Sequence, residues 1–269
     1  MKREKLAVIG VGNMAKAIIN GIKNSDFNVC EINLFDINKD QYASILSENI
    51  RSCDSMETAI SVSDSVLLSV KPQNYEAVLN DIKKITSYQD KLYISIGAGI
   101  STEYISSVLG DVSVVRVLPN LPMVIGNGVS VICRNSKLSA EDFLFSKNIF
   151  MSSGSVMEID EDDMNKIIGV TSSSPAYVFK FIEAICQGAL EQGLVSDNML
   201  STVCDMIIGS ALMMKNSDRS PAELISSVAS KGGTTERAIS KLDEYKFSEG
   251  IISAMKACTE RADELGKNK

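Results

Sequence analysis

The 269-residue sequence predicts an α/β fold, a doubly wound parallel sheet followed by an all-helical C-terminal domain, and three observations predict it. Over the first half, short aliphatic and β-branched runs recur at intervals long enough for a helix. A glycine-rich turn of the form Gly-x-Gly-x-x-Ala joins the first run to the first helical pattern. From about Asp160 onward apolar residues fall at three- and four-residue spacing, and no strand-like alternation survives.

The expected strands, in order, are "KLAVIG" (5–10), "EINLFD" (31–36), "SVLLSV" (65–70), "LYISIG" (92–97), "SVVRVL" (113–118), "VSVICR" (129–134) and "GSVMEI" (154–159). Strands alternating with helix-length segments imply a mostly parallel sheet covered on both faces. The acidic "EIDEDDMNK" (158–166) marks the boundary, placing one domain at 1–160 and a helical domain at 161–269. In the second domain "SPAYVFKFIEAICQGALEQGL", "MLSTVCDMIIGSALMMKN", "SPAELISSVAS" and "SEGIISAMKACTERADELG" read as helices. Ser220-Pro221-Ala222-Glu223 combines an N-cap serine, a proline at the first helical position and a glutamate placed for a capping box. Ser174-Pro175 repeats the cap-plus-proline signal, and Met206, Ile207, Met213 and Met214 read as core or subunit interface.

Composition narrows the chemistry. A 45% apolar, 23% charged chain is an ordinary globular one, and a net charge of −7 without basic runs argues against a nucleic-acid backbone or an anionic membrane as partner. The N-terminus has no signal-peptide cleavage pattern and no stretch approaches a membrane span, so a cytoplasmic protein is expected. The six cysteines form no Cys-x-x-Cys pair, which points to reduced thiols and no metal site. Histidine is absent, removing Ser-His and Cys-His nucleophile pairs and leaving chemistry that needs no imidazole, such as hydride transfer from a cofactor.

The turn Gly10-Val11-Gly12-Asn13-Met14-Ala15 follows the first strand and opens a helix. Gly10 permits the tight turn, Gly12 lets backbone N–H groups approach a pyrophosphate, and Ala15 keeps the helix close to the sheet, which is the Rossmann-type arrangement for a dinucleotide. Asp36, at the end of the second strand, is placed to accept hydrogen bonds from the adenosine ribose and to repel a 2′-phosphate, tilting the cofactor towards NADH. Asp36 also suits the start of a turn, and Lys39 stands within reach of a 2′-phosphate, so NADPH stays open. Ser69-Val70-Lys71-Pro72 and Gly97-Ala98-Gly99 follow two further strands, where ligands border an open α/β sheet, and Asn120 offers a donor and an acceptor near the expected nicotinamide end. Ser172, Ser173 and Ser174 either cap the following helix or face the cofactor, and Tyr177 either packs or makes a contact.

Taken together, "GVGNMA", "SVKPQ", "SIGAGI", "RVLPNLP", "GVTSSSPAYVFKFIEA" and "PAELISSVASKGGTTERAI" resemble, in order, the motifs of the pyrroline-5-carboxylate reductase family over nearly the whole chain. The resemblance implies a dinucleotide-binding domain (1–160) and a helical substrate-binding and dimerisation domain (161–269). It implies NADH- or NADPH-dependent reduction of the cyclic imine (S)-1-pyrroline-5-carboxylate to L-proline, by a homodimer unit that can be assembled into a larger ring such as a decamer. It assigns the substrate to Ser230, Gly232, Gly233 and Thr234, with the Thr234 hydroxyl near the imine nitrogen as the catalytic group. Three departures stand out: Lys231 replaces the family's proline, Leu121 its threonine in the Pro-Asn-Thr-Pro segment, and Asp36 a residue suited to a 2′-phosphate. A β-hydroxyacid dehydrogenase of the same plan would need a helical lysine such as Lys180 or Lys215 in its motif, and neither sits in one. A dinucleotide-sensing binding protein, with the helical half a dimer surface only, is the non-catalytic alternative.

Overall fold

The computed structural model describes residues 4–27 and 29–267, which fall into two compact units: the chain up to Ser173 together with Met255 onward, and Ser174–Ala254. The first unit holds an eight-stranded sheet, β1 (Lys5–Ile9), β2 (Glu31–Phe35), β3 (Ile50–Ser52), β4 (Ser65–Leu68), β5 (Leu92–Ser95), β6 (Ser113–Leu118), β7 (Gly128–Arg134) and β8 (Gly154–Glu158), in the order β3-β2-β1-β4-β5-β6-β7-β8. All neighbours pair in parallel except β6 and β7, which are antiparallel. The seven expected strands are present. β3 is an addition, too short at three residues to leave a pattern in the sequence.

Period-two alternation divides the core between the two faces. Leu6, Val8, Leu67, Ile94 and Val115 point to one side, against α1 (Asn13–Lys23) and α5 (Ala140–Met151). Ala7, Ile9, Val66, Leu68 and Tyr93 point to the other, against α2 (Met56–Ser61), α3 (Tyr75–Ile82) and α4 (Thr102–Leu109). Each such aliphatic side chain contributes roughly 1.5–3 kcal/mol on full burial. Helix starts follow local chemistry: Ser55, Ser101 and Ser139 each accept a hydrogen bond from a backbone N–H of the helix they cap.

Arg116, on β6, is 2% exposed, yet its charge is paired. Its Nη1 donates to Glu161 Oε1 and its Nη2 to Asn165 Oδ1, both at 2.6 Å, and Asn165 in turn donates to Asp263 Oδ1 at 2.8 Å. The acidic stretch after β8 is thereby clamped to the sheet and to the last helix. Cys133 donates to Glu161 Oε2 at 3.2 Å, and burial first, then the Glu161 charge, pushes its thiol far above the ordinary range, so it stays protonated.

The second unit is helical: α7 (Ser174–Glu191), α8 (Met199–Lys215), α9 (Pro221–Val228), α10 (Thr234–Glu244) and the start of α11 (Phe247–Lys267), whose remainder belongs to the first unit. A four-residue helix, α6 (Ile168–Thr171), precedes α7. The capping box at Ser220 forms as the sequence predicts: Ser220 accepts from Glu223 N, and the Glu223 carboxylate accepts from Ser220 N. Among residues 174–254 only Val203 and Leu224 are buried. Phe179, Leu190, Ile208, Leu212, Met206, Met213 and Met214 stand 39–56% exposed, so apolar side chains of α7 and α8 are left open to solvent. No helix among the described residues is long and apolar enough to cross a membrane.

Candidate active site

The glycine turn at the end of β1 is built by two different needs. Gly10 has φ +87°, and a Cβ there would lie 2.8 Å from the Ser69 carbonyl oxygen and 2.9 Å from Val70 Cγ1, so both backbone angle and packing require glycine. Gly12 is the N-cap of α1 in ordinary extended geometry (φ −75°), and a Cβ there would meet no protein atom within 4 Å. Nothing in the protein demands a glycine at 12; the space beside it is open. No side chain caps α1, so the first N–H groups, from Gly12 through Asn13 and Met14, face that space with the positive end of the helix dipole behind them. Ala15 is fully buried against the sheet, as close helix–sheet packing requires.

Asp36 closes the turn from the next strand. Its Oδ2 accepts from Val11 N at 2.7 Å and its Oδ1 from Asn38 N at 2.9 Å. The carboxylate therefore organises the glycine turn and starts its own turn, while still lining the open space. Both readings of Asp36 from the sequence are compatible with this geometry.

The open space is a crevice along the carboxyl ends of the strands with two lobes. The larger, about 800 Å³, is bounded by Gly10, Asp36, Ile37, Met56, Glu57 and Val78 among others. The smaller, about 440 Å³, is bounded by Asn13, Met14, Pro72, Ala98, Leu121 and Ser172 among others. Gly12, Ser69, Val70 and Lys71 line both. Pro72 starts a single 3₁₀ turn after Lys71, which fixes where the chain leaves β4. Under this rim Tyr75, fully buried, donates to the Leu68 carbonyl at 2.8 Å and shares a hydrogen bond with Ser95 Oγ at 2.9 Å, tying the ends of β4 and β5. Burial pushes its phenol well above the ordinary range, so it stays protonated. The sequence offers no signal for this role, which depends on a contact between two strand ends.

Two expected members of the site are placed otherwise. Asn120 is 7% exposed and does not line either lobe; its Nδ2 donates to the Thr171 carbonyl at 3.1 Å and its Oδ1 accepts from Val129 N at 2.8 Å. It fastens the 3₁₀ segment Leu121–Ile125 to β7 and to α6, and that segment presents Leu121 and Val124 to the smaller lobe. Gly99 (φ +73°) faces the end of α11, where a Cβ would come within 3.0 Å of the Ala262 carbonyl and 3.2 Å of Leu265 Cβ. Its glycine is called for by the left-handed backbone angle and by the close approach of α11. Ser172 lines the smaller lobe, and its buried hydroxyl has no hydrogen-bond partner among the described residues. A buried hydroxyl without a partner costs free energy, so a polar group arriving there is accommodated at a gain.

In the helical unit, Ala229 to Gly233 connect α9 to α10, whose first two residues are Thr234 and Thr235. The helix is capped by Gly233 with no side-chain hydrogen bond, so neither Thr234 nor Thr235 serves as the cap that a simple interhelical turn would use. Gly232 sits at φ +75° with open space around it, whereas a Cβ at Gly233 would press on Ser230 Oγ at 2.8 Å. The glycine N–H groups are engaged: Gly233 N donates to the Ser230 carbonyl at 2.9 Å, and Gly232 N to the Glu236 carboxylate at 2.7 Å. The donors left at this helix start are the N–H groups of Thr234, Thr235 and Glu236, beside the exposed Thr234 hydroxyl. Glu236 on Gly232 shows that this backbone accepts a carboxylate. Lys231 is exposed, as are Lys180 and Lys215. Among the described residues no group of three His, Cys, Asp or Glu side chains is placed to hold a metal.

Comparison with known proteins places these features. The family model described as "Pyrroline-5-carboxylate reductase dimerisation" matches residues 161–265, and that described as "NADP oxidoreductase coenzyme F420-dependent" matches residues 5–99. The chain is 31% identical to the pyrroline-5-carboxylate reductase of Escherichia coli (strain K12) over 268 residues, covering 98% of this chain and 99% of that one. It is 32% identical to that of Methanosarcina acetivorans over 274 residues, covering 99% and 100%. Among solved structures, the Plasmodium falciparum pyrroline carboxylate reductase with NADP bound superposes with a TM-score of 0.89 at 28% identity, covering 99% of each chain. With this order of motifs, an N-terminal dinucleotide-type sheet and a helical dimerisation domain, the chain belongs to the pyrroline-5-carboxylate reductase family of oxidoreductases.

Proposed function

We propose that the protein reduces the C=N bond of (S)-1-pyrroline-5-carboxylate with NAD(P)H, giving L-proline in the last step of proline biosynthesis. The observation that carries the reading is the open space at Gly12, a glycine that neither backbone angle nor packing explains, in a chain of this family. The residues present fit a dinucleotide. Gly10, Val11, Gly12, Asn13, Met14 and Ala15 form the pyrophosphate cradle, Asp36 faces the adenosine ribose, and Val70, Lys71, Pro72 and Ala98 border the chain of the cofactor. Gly99 and Asn120 serve from behind, by holding α11 and the Leu121–Ile125 segment in place. The orphaned Ser172 hydroxyl supports a polar contact at the smaller lobe.

The bound dinucleotide supplies the hydride that adds to the imine carbon. The chain's own share is orientation and electrostatics. The N–H groups at the start of α10 hold the substrate carboxylate, Ser230, Gly232 and Gly233 shape the turn that exposes them, and the Thr234 hydroxyl hydrogen-bonds the imine nitrogen, which takes its proton from solvent water. No nucleophile is needed, in keeping with a chain that has no histidine.

The domain division at 160/161 remains our assignment, with the second part binding substrate and pairing with a second copy; the family match to 161–265 and the apolar surface of α7 and α8 support it. The working unit is a homodimer, assembled further into a ring such as a decamer, in the cytoplasm. Partners are thus a small cyclic imine acid and a second copy of the chain, with no role for nucleic acid or membrane.

Purified protein is expected to oxidise NADH when pyrroline-5-carboxylate is added, faster than NADPH at equal subsaturating concentration, followed at the nicotinamide absorbance. No turnover with either cofactor by a folded protein would overturn the assignment. Asp36→Ser is expected to move the NADPH-to-NADH ratio of kcat/KM by at least about tenfold, the equivalent of removing one partly screened like charge. It is also expected to weaken both cofactors, because the Val11 N–H loses its acceptor. An unaltered ratio would show that Asp36 does not read the ribose.

A further inference from the structure

Cofactor choice can be traced beyond Asp36, on the strength of the dinucleotide reading above. The wall of the larger lobe carries three carboxylates, Asp36, Glu57 and Asp81, and two lysines, Lys71 and Lys84. Asp36 cannot swing away from a ligand, since both of its oxygens are held by backbone N–H groups. Lys84 is engaged by Asp81 at 2.7 Å, and Lys71 stands at the waist that the two lobes share. Lys39 opens the short 3₁₀ turn Lys39–Gln41, three residues past Asp36, which makes it the cation next in sequence to the carboxylate facing the ribose. Its ammonium instead sits 2.8 Å from Asp54 Oδ1, and Asp54 leads directly into Ser55, Met56 and Glu57 of the lobe wall. The hydrogen bond and, behind it, the opposite charge hold Lys39 above and Asp54 below their ordinary ranges. A phosphate monoester brings roughly −1.5 to −2 charge near neutral pH, so its binding depends on which cations are still available.

We propose that Asp54 is a cofactor-specificity residue: by holding Lys39 it withholds that cation from the 2′-phosphate of NADPH, and with Asp36 and Glu57 it makes the lobe favour NADH. The device is electrostatic and needs no contact between Asp54 and the cofactor. Lys84, held by Asp81, follows the same pattern in the lobe wall.

The test is a titration of the full-length protein with NADH and with NADPH, reading dissociation constants from nicotinamide fluorescence, for wild type, D54N, E57Q and the double variant D54N/K39A. In D54N the ratio Kd(NADPH)/Kd(NADH) is expected to fall about two- to fivefold, the range open to a solvent-exposed charge pair. The NADH constant itself should hold, which also reports an intact fold. Adding K39A should restore the wild-type ratio, E57Q should move the ratio in the same direction as D54N, and high salt should shrink both effects. A ratio unchanged in D54N, or a change that K39A does not reverse, would overturn the proposal while leaving dinucleotide binding intact. Wild-type protein that binds neither nucleotide would overturn the dinucleotide reading and this inference with it.

Discussion

Thr234→Ala is expected to lower kcat for pyrroline-5-carboxylate by about a hundredfold, the range for losing one donor to developing charge. KM and the dissociation constant of NADH are expected to stay close to wild type. The reason lies in what the substitution keeps. Alanine retains the N–H at the first position of α10, so the carboxylate-binding backbone is unchanged; the hydroxyl and the γ-methyl group are removed, and the serine variant separates the two. Thr234 is exposed, and its hydroxyl has no hydrogen-bond partner among the described residues, so its loss costs the fold within about 0.5 kcal/mol. A fall in kcat therefore reports on chemistry and not on unfolding, and a fall without a rise in KM marks an interaction made in the transition state. Thr234→Ser should restore most of the rate. Steady-state kinetics with saturating NADH decide the matter: an unchanged kcat in the alanine variant would remove Thr234 from the reaction.

What could be read from the sequence follows from the range of the forces involved. Local signals were reliable: the alternating apolar runs become strands, Ser220 and Glu223 form their capping box, and the glycine turn opens α1 where the pattern places it. Strand direction is a different matter. The β6 and β7 runs look alike in composition, and the antiparallel pairing follows from the short connection through Leu121–Ile125, which has no room for a crossover helix. Long-range packing was hidden for the same reason. Gly99 reads as part of a cofactor turn, but its neighbours, Ala262 and Leu265, lie more than 160 residues away in sequence, and no local pattern announces them. Asn120 reads in the sequence as a donor and acceptor for the nicotinamide end, whereas both of its side-chain hydrogen bonds go to the protein. Asp36 combines both kinds of information: its position at the strand end was legible, whereas its hold on Val11 needs the fold.

Gly12→Val should abolish dinucleotide binding while leaving the fold nearly untouched, and the contrast with Gly10→Ala makes the result interpretable. At Gly12 the backbone is in extended geometry that valine adopts readily, and a Cβ there meets no protein atom within 4 Å. The cost to stability is that of a poorer N-cap residue, about 1 kcal/mol or less. The isopropyl group would instead fill the space in front of the α1 N–H groups. Each charge-assisted hydrogen bond lost there is worth roughly 1.5–3 kcal/mol, so two of them lower affinity by about a hundredfold or more. At Gly10 the balance is reversed. An alanine there holds φ +87° at a cost of about 1–3 kcal/mol and presses its Cβ within 2.9 Å of Ser69 and Val70. Thermal unfolding with and without NADH separates the two effects. Gly10→Ala should lower the Tm of the free protein, whereas Gly12→Val should keep that Tm and lose the stabilisation that NADH confers on wild type. If Gly12→Val instead unfolds like Gly10→Ala, the open space at residue 12 belongs to the fold; if it keeps its response to NADH, the pyrophosphate lies elsewhere.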